Sequence, residues 1–93
     1  MRYLLLEDEK IASNRLKDMI ANLRPDYQCV LTIDSVESAV ISLPALKLDL
    51  VFMDIQLADG NSFDIFDQIK FDVPIIYTTA YDEYALKAFK LNS

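Results

Sequence analysis

The 93-residue chain contains no His and no Trp, one Cys (Cys29) and one Gly (Gly60). Each scarcity removes a class of chemistry. Without His there is no Ser-His-Asp or Cys-His nucleophile pair and no imidazole to act as acid or base. A single Cys forms neither an internal disulfide nor a Cys-rich zinc site, and it suits a reducing compartment. A single Gly excludes the Gly-rich phosphate loops of P-loop and dinucleotide-binding domains. Basic residues are also outnumbered: nine Lys and Arg stand against fifteen Asp and Glu, a net charge of -6. Such a surface repels DNA and anionic membranes, since phosphate contacts need Lys and Arg. No apolar run approaches the length of a membrane span, and Met1-Arg2-Tyr3 leads straight into a strand-like segment unlike a signal peptide. We therefore expect an acidic, cytoplasmic domain without a membrane partner, and its available chemistry is that of carboxylates.

What is present is enough to build a core. Apolar residues make up 53% of the chain, and its length is that of one domain. Short apolar runs alternate with helical stripes from end to end. Tyr3 to Leu6 is a continuous apolar run that stops at Glu7-Asp8-Glu9. Ile11, Ala12, Leu16, Met19, Ile20 and Leu23 then recur at helical spacing until Pro25. Gln28 to Ile33 reads as a more polar strand, nearer an edge. Asp34 with Glu37 has the spacing of a capping box for a helix carrying Val36, Ala39, Val40 and Leu43, closed by Pro44. Leu48 to Met53 is a third strand, ending at Asp54. Ser62 is placed to cap a helix with Phe63, Phe66 and Ile69 inward. Pro74 to Thr78 is a fourth strand, and Asp82 opens a last helix with Ala85, Leu86, Ala88 and Phe89. Strict alternation of strand and helix predicts an α/β fold with a mostly parallel sheet covered on both faces.

The acids fall where such a sheet binds ligands. Glu7 and Asp8 end the first strand and Asp54 ends the third, and ligands of open α/β sheets sit outside the carboxyl ends of strands. If those strands are neighbours, three carboxylates share one crevice. Their repulsion demands a proton or a cation, and Mg²⁺ with its oxygen ligands fits. On spacing alone, Glu7-Asp8 reads equally well as the cap of the following helix. Asp54 resists that reading, because it interrupts an apolar run and the next helical stripe begins only near Ser62. Thr78 and Thr79 end the fourth strand; a hydroxyl there either faces the crevice or is an ordinary strand residue.

Three segments, in order and at this spacing, resemble the response-regulator receiver domain of two-component systems: Leu4-Leu5-Leu6-Glu7-Asp8-Glu9, Val51-Phe52-Met53-Asp54-Ile55-Gln56-Leu57 and Pro74-Ile75-Ile76-Tyr77-Thr78-Thr79-Ala80. Asp59-Gly60-Asn61-Ser62-Phe63 and the stretch from Ala80 to Phe89 resemble more narrowly the LytTR-type regulators, in which a DNA-binding domain follows the receiver. The resemblance covers residues 1–93 as one receiver domain. It implies a flavodoxin-like open parallel sheet of order 2-1-3-4, with the fifth strand and fifth helix absent from this chain. It implies that Asp54 is the phosphoacceptor, phosphorylated by a sensor histidine kinase. Mg²⁺ would be held by Asp8, Asp54, the backbone carbonyl of Gln56 and, largely through water, Glu7. Thr79, directly before Ala80, would bind the phosphoryl oxygen and act as the switch. The implied activity is a phosphorylation switch and not a metabolic enzyme, with DNA contacted only through a C-terminal domain outside the chain.

Two departures qualify the match. Ala58 stands where the family usually has Pro, and the family's Lys after the fifth strand has no counterpart before Ser93. We expect the chain to be part of a longer product. A product of 93 residues would be poorly stable alone or would form a homodimer through the apolar edge Ile75-Ile76-Tyr77. Tyr81, Tyr84 and Phe89 are placed either as a partner surface or as packing. Two other functions compete: a phosphorylation-independent receiver-like interaction domain, and a haloacid-dehalogenase-like phosphatase. The second needs an acid two residues after the nucleophile, where this chain has Gln56.

Overall fold

Arg2–Leu6 forms strand β1, and from Tyr3 to Leu6 every side chain is buried. A strand apolar on both faces belongs in the middle of a covered sheet, and β1 lies there. The computed structural model describes residues 1–78. Within them β1 pairs in parallel with β2 (Gln28–Ile33) on one side and β3 (Leu50–Met53) on the other. Two more strands, β4 (Gln56–Leu57) and β5 (Gly60–Asn61), make a separate antiparallel hairpin. The last, β6 (Ile75–Tyr77), pairs in parallel with β3, so the main sheet runs β2-β1-β3-β6. This is the expected order, β6 being the fourth strand of the main sheet. The polar strand β2 lies at an edge, as its sequence suggests, and its register against β1 shifts between Tyr3 and Leu4.

Helix α1 spans Lys10–Leu23 and α2 spans Val36–Ser42. Pro25 and Pro44 mark their ends, as expected of a residue with no N–H to donate. The first helix closes on an Arg24 N–H to Ile20 carbonyl bond of 2.7 Å, and the second runs into a 3-10 turn over Leu43–Ala45. One face of the sheet and α2 share a continuous core: Leu4, Leu6, Val51 and Met53 pack with Val36, Ala39, Leu43 and Ile65. The opposite face, to which strand alternation turns Leu5, is where α1 contributes Ile20 and Ser13 to the buried set.

Two local expectations are corrected. The segment after the hairpin is a 3-10 helix, Ser62–Asp67, and its cap is Asn61, whose side chain accepts the Phe63 N–H at 2.9 Å. Ser62 is instead drawn fully inside by its own N–H bond to the Ile55 carbonyl, 2.7 Å. Ile65 is the apolar residue buried there, while Phe63, Phe66 and Ile69 are half-buried. At α2 the cap is Ser35 and not Asp34: Ser35 is extended directly before the helix and accepts from the Ser38 N–H at 3.1 Å. Along α1, Ile20 is buried and Ala12 and Leu16 are half-buried, but Ile11, Met19 and Leu23 are exposed among the described residues. The helix rests on the sheet along a strip narrower than its apolar stripe. Thr79, Tyr81, Tyr84 and the helix expected from Asp82 to Phe89 lie outside the described residues.

Candidate functional site

The register of β1 against β3 builds the site. Leu6 pairs with Met53, so the next residues, Glu7 and Asp54, leave the sheet side by side. The ladder continues one step beyond the strands: the Asp54 N–H donates to the Leu6 carbonyl at 2.9 Å, and the Glu7 N–H donates to the Ile33 carbonyl at 2.9 Å. Backbone bonds thus fix both residues, and Asp8 follows, one residue before Glu9, the N-cap position that leads into α1 at Lys10. Carboxylate oxygens of Glu7, Asp8 and Asp54 lie within 4.8 Å of one another. Glu7 and Asp54 are half-buried and Asp8 is exposed. The N-cap position of α1 is Glu9, which makes no side-chain cap bond.

Electrostatics at this edge is unfavourable without a counter-charge. Burial, and then the adjoining Asp54 carboxylate, push the Glu7 carboxyl up to about 8, with Asp8 and Glu9 adding to the effect. A proton held between Glu7 and Asp54 converts their repulsion into a hydrogen bond. With both ionised there is no donor, and Glu7 Oε2 is buried without a partner. Oxygens bound to one Mg²⁺ at 2.0–2.1 Å sit at most about 4.2 Å apart. The 4.8 Å limit lies slightly above that span, so side chains close in on binding, and the all-oxygen donor set and the orphaned Oε2 fit a small hard dication.

The acids open onto a cleft of about 380 Å³ lined by Glu7, Asp8, Glu9, Ala12, Asp54, Gln56 and Thr78. Gln56 is exposed, and its N–H points back to Asp54 Oδ1 at 3.4 Å. The structure therefore brings together Glu7, Asp8, Asp54 and Gln56; Thr79 lies outside the described residues. Thr78, placed by its N–H bond to the Met53 carbonyl at 3.0 Å, is the hydroxyl seen at this cleft. A wider groove of about 630 Å³, lined by Phe63, Phe66, Phe71, Pro74 and Tyr77 among others, carries none of the three acids. One residue at the site's margin was not legible as such. Asp59 reads in sequence as half of an Asp-Gly turn, yet its carboxylate accepts the Val36 N–H at 2.7 Å and the Glu37 N–H at 3.1 Å across the chain. Those bonds hold its carboxyl below the usual carboxylate range. No signal in the sequence links residue 59 to residue 36.

A parallel sheet with three carboxylates at the carboxyl ends of two adjacent central strands defines an α/β protein with an acidic edge. Comparison makes the class specific: the chain belongs to the response regulator receiver domain family, whose pattern it matches over residues 3–93. It is similar to the sensory transduction protein LytT of Bacillus anthracis, 35% identical over 96 residues that cover 100% of this chain and 39% of that protein. The chain thus spans about two fifths of the length of such relatives. Among solved structures it is similar to the PhyR response regulator REC domain of Erythrobacter litoralis, at 33% identity and a TM-score of 0.77, covering 96% of this chain and 70% of that one. The response regulatory domain of protein mrkE from Klebsiella pneumoniae gives a TM-score of 0.82 at 26% identity, covering 100% and 78%. No helix among the described residues is long and apolar enough to cross a membrane.

Proposed function

We propose that Asp54 is the phosphoacceptor of this receiver domain, and that Mg²⁺ is held beside it by Asp8, Asp54, the Gln56 carbonyl and, through water, Glu7. The observation that carries this reading is the convergence of three carboxylates at the ends of β1 and β3. A carboxylate oxygen of Asp54 attacks the phosphorus of a phosphohistidine on a sensor histidine kinase. The new O–P bond forms as the N–P bond breaks, and the electron pair stays on the imidazole nitrogen. Such a transfer needs positioning and neutralised oxygens more than covalent help. Mg²⁺, when bound, offsets the repulsion between the acceptor carboxylate and the incoming phosphoryl group.

The chain's own residues set the stage for that step. The ladder bond from the Asp54 N–H to the Leu6 carbonyl fixes the nucleophile at the cleft floor. Glu7, buried on one side, keeps a second carboxylate ready for the cation. Thr79 is assigned the phosphoryl-oxygen contact through the family resemblance, as the hydroxyl residue directly before Ala80. The LytTR-type resemblance assigns the output to a DNA-binding domain beyond this chain, with the receiver as a cytoplasmic switch, and the chain's covering only 39% of LytT supports a further domain.

The test is an intact mass before and after acetyl phosphate with Mg²⁺. A gain of about 80 Da, one phosphoryl group, is expected in wild type and lost in Asp54→Asn. Labelling that survives in Asp54→Asn, or wild type that binds Mg²⁺ yet takes up no phosphoryl group, contradicts the assignment.

A further inference from the structure

The loop that follows Asp54 carries one of the proposed cation ligands, the Gln56 carbonyl; its base is closed by the Ser62 N–H to Ile55 carbonyl bond, 2.7 Å, but its far end is a short hairpin. Its hairpin has two residues per strand, Gln56 opposite Asn61 and Leu57 opposite Gly60. A two-stranded hairpin is at best marginally stable alone, so this one must be anchored from outside. Leu57 supplies one anchor by entering the core. The second is at the turn, where the Asp59 carboxylate spans two consecutive N–H groups at the start of α2, with Oδ1 on Val36 and Oδ2 on Glu37. A longer bond from the Ala58 N–H to the Asp34 carbonyl, 3.4 Å, joins the same two segments.

The geometry points to Asp59 as the positioning residue that holds the Gln56 loop in register with the acidic edge, by tying the turn to α2. This inference rests on the receiver reading above and deepens it. Asp59 touches neither cation nor phosphoryl group; it acts through the three residues between it and Asp54's neighbour. Mg²⁺ demands near-ideal octahedral geometry, so a ligand carried by a loose loop binds it less well than one on a fixed loop. The helix end itself does not depend on Asp59 alone, because Ser35 separately accepts the Ser38 N–H. That separation makes the tether and the helix cap independently testable.

The experiment is a Mg²⁺ titration of the whole chain followed by amide NMR shifts of residues 7–9 and 54–56, in wild type, Asp59→Ala, Asp59→Asn and Ser35→Ala. Far-UV circular dichroism of each variant reports the folded state. Loss of a residue that orients a metal ligand typically weakens affinity roughly 10- to 100-fold. The expectation for Asp59→Ala, which removes both oxygens, is about tenfold weaker binding, the low end of that range. Asp59→Asn keeps one acceptor oxygen and is expected to fall between. Ser35→Ala removes a cap from the same helix but leaves the tether, so it should bind as wild type does. Wild-type affinity in Asp59→Ala overturns the inference, and so does equal weakening by Ser35→Ala, which would make Asp59 a cap and nothing more. Wild type that fails to bind Mg²⁺ overturns the proposed cation site and this inference with it, an outcome read on a different sample.

Discussion

Glu7 and Asp54 are fixed at the ends of paired strands, so the cation-free fold has to bear their proximity. Two ionised oxygens at the 4.8 Å limit of their spacing repel by about 3.5 kcal/mol at an effective dielectric of about 20. Titration gives the same scale: a Glu7 carboxyl raised from 4.5 to about 8 corresponds to roughly 3 kcal/mol of lost stability at pH 7 before screening. Solvent screening lowers both figures, because Glu7 is only half-buried, whereas a separation shorter than the limit raises the first. Burial, which Asp54→Asn leaves in place, is also the first cause of the shift. The variant is therefore expected to be more stable than wild type by about 1–2 kcal/mol without divalent cation at about pH 7.5. Its direction with pH follows from linkage. Glu7's folded pKa is raised, so its contribution is whole below about 4.5 and is lost as pH rises through about 8. Wild-type stability should fall across that window, the variant should fall less, and the two should converge near its acidic end. Mg²⁺ should stabilise wild type selectively, since a ligand of the folded state alone raises its stability. Urea denaturation at several pH values, with and without Mg²⁺, measures all of this. A variant no more stable than wild type at about pH 8.5 without cation would refute the electrostatic reasoning.

Two further expectations concern the loop that frames the cleft. Ser62 Oγ is fully buried without a hydrogen-bond partner, so Ser62→Ala should stabilise by about 1 kcal/mol; a lower urea midpoint in the variant would show that the hydroxyl is satisfied in solution. Gly60 has φ +153°, and a Cβ there would meet only ordinary contacts, Asp64 Oδ2 at 3.5 Å and Val36 Cγ2 at 3.9 Å. Gly60→Ala should therefore cost about 1–3 kcal/mol through backbone strain and not through crowding, and a midpoint unchanged from wild type would contradict that strain.

Much of the fold was legible from periodicity. Apolar runs bounded by acids or prolines gave the main-sheet strands, and alternation with helical stripes gave a parallel sheet. Those signals work because burial on two faces and the absence of an N–H on proline act locally. Caps were less legible: Asp34–Glu37 and Ser62 had suitable spacing, but Ser35 and Asn61 took those roles. The choice depends on which residue is extended just before the helix, and packing decides that. Ser62 shows the competition directly, since its bond to the Ile55 carbonyl carries it inside and hands the cap to its neighbour.

The sequence by itself determined the residue types at the carboxyl ends of the strands, the α/β class and the family. It placed Glu7, Asp8 and Asp54 as candidates because acids that interrupt or end apolar runs need a reason to be there. The family resemblance implied an order of 2-1-3-4, and so β1 beside β3; the tertiary structure decided their register, with Leu6 opposite Met53, which turns acids separated by more than forty residues into one cluster. It alone decided that Asp59 reaches the start of α2. Strand pairing and a carboxylate's reach across a fold are long-range contacts, and no local pattern of side chains encodes which distant backbone a given residue will meet.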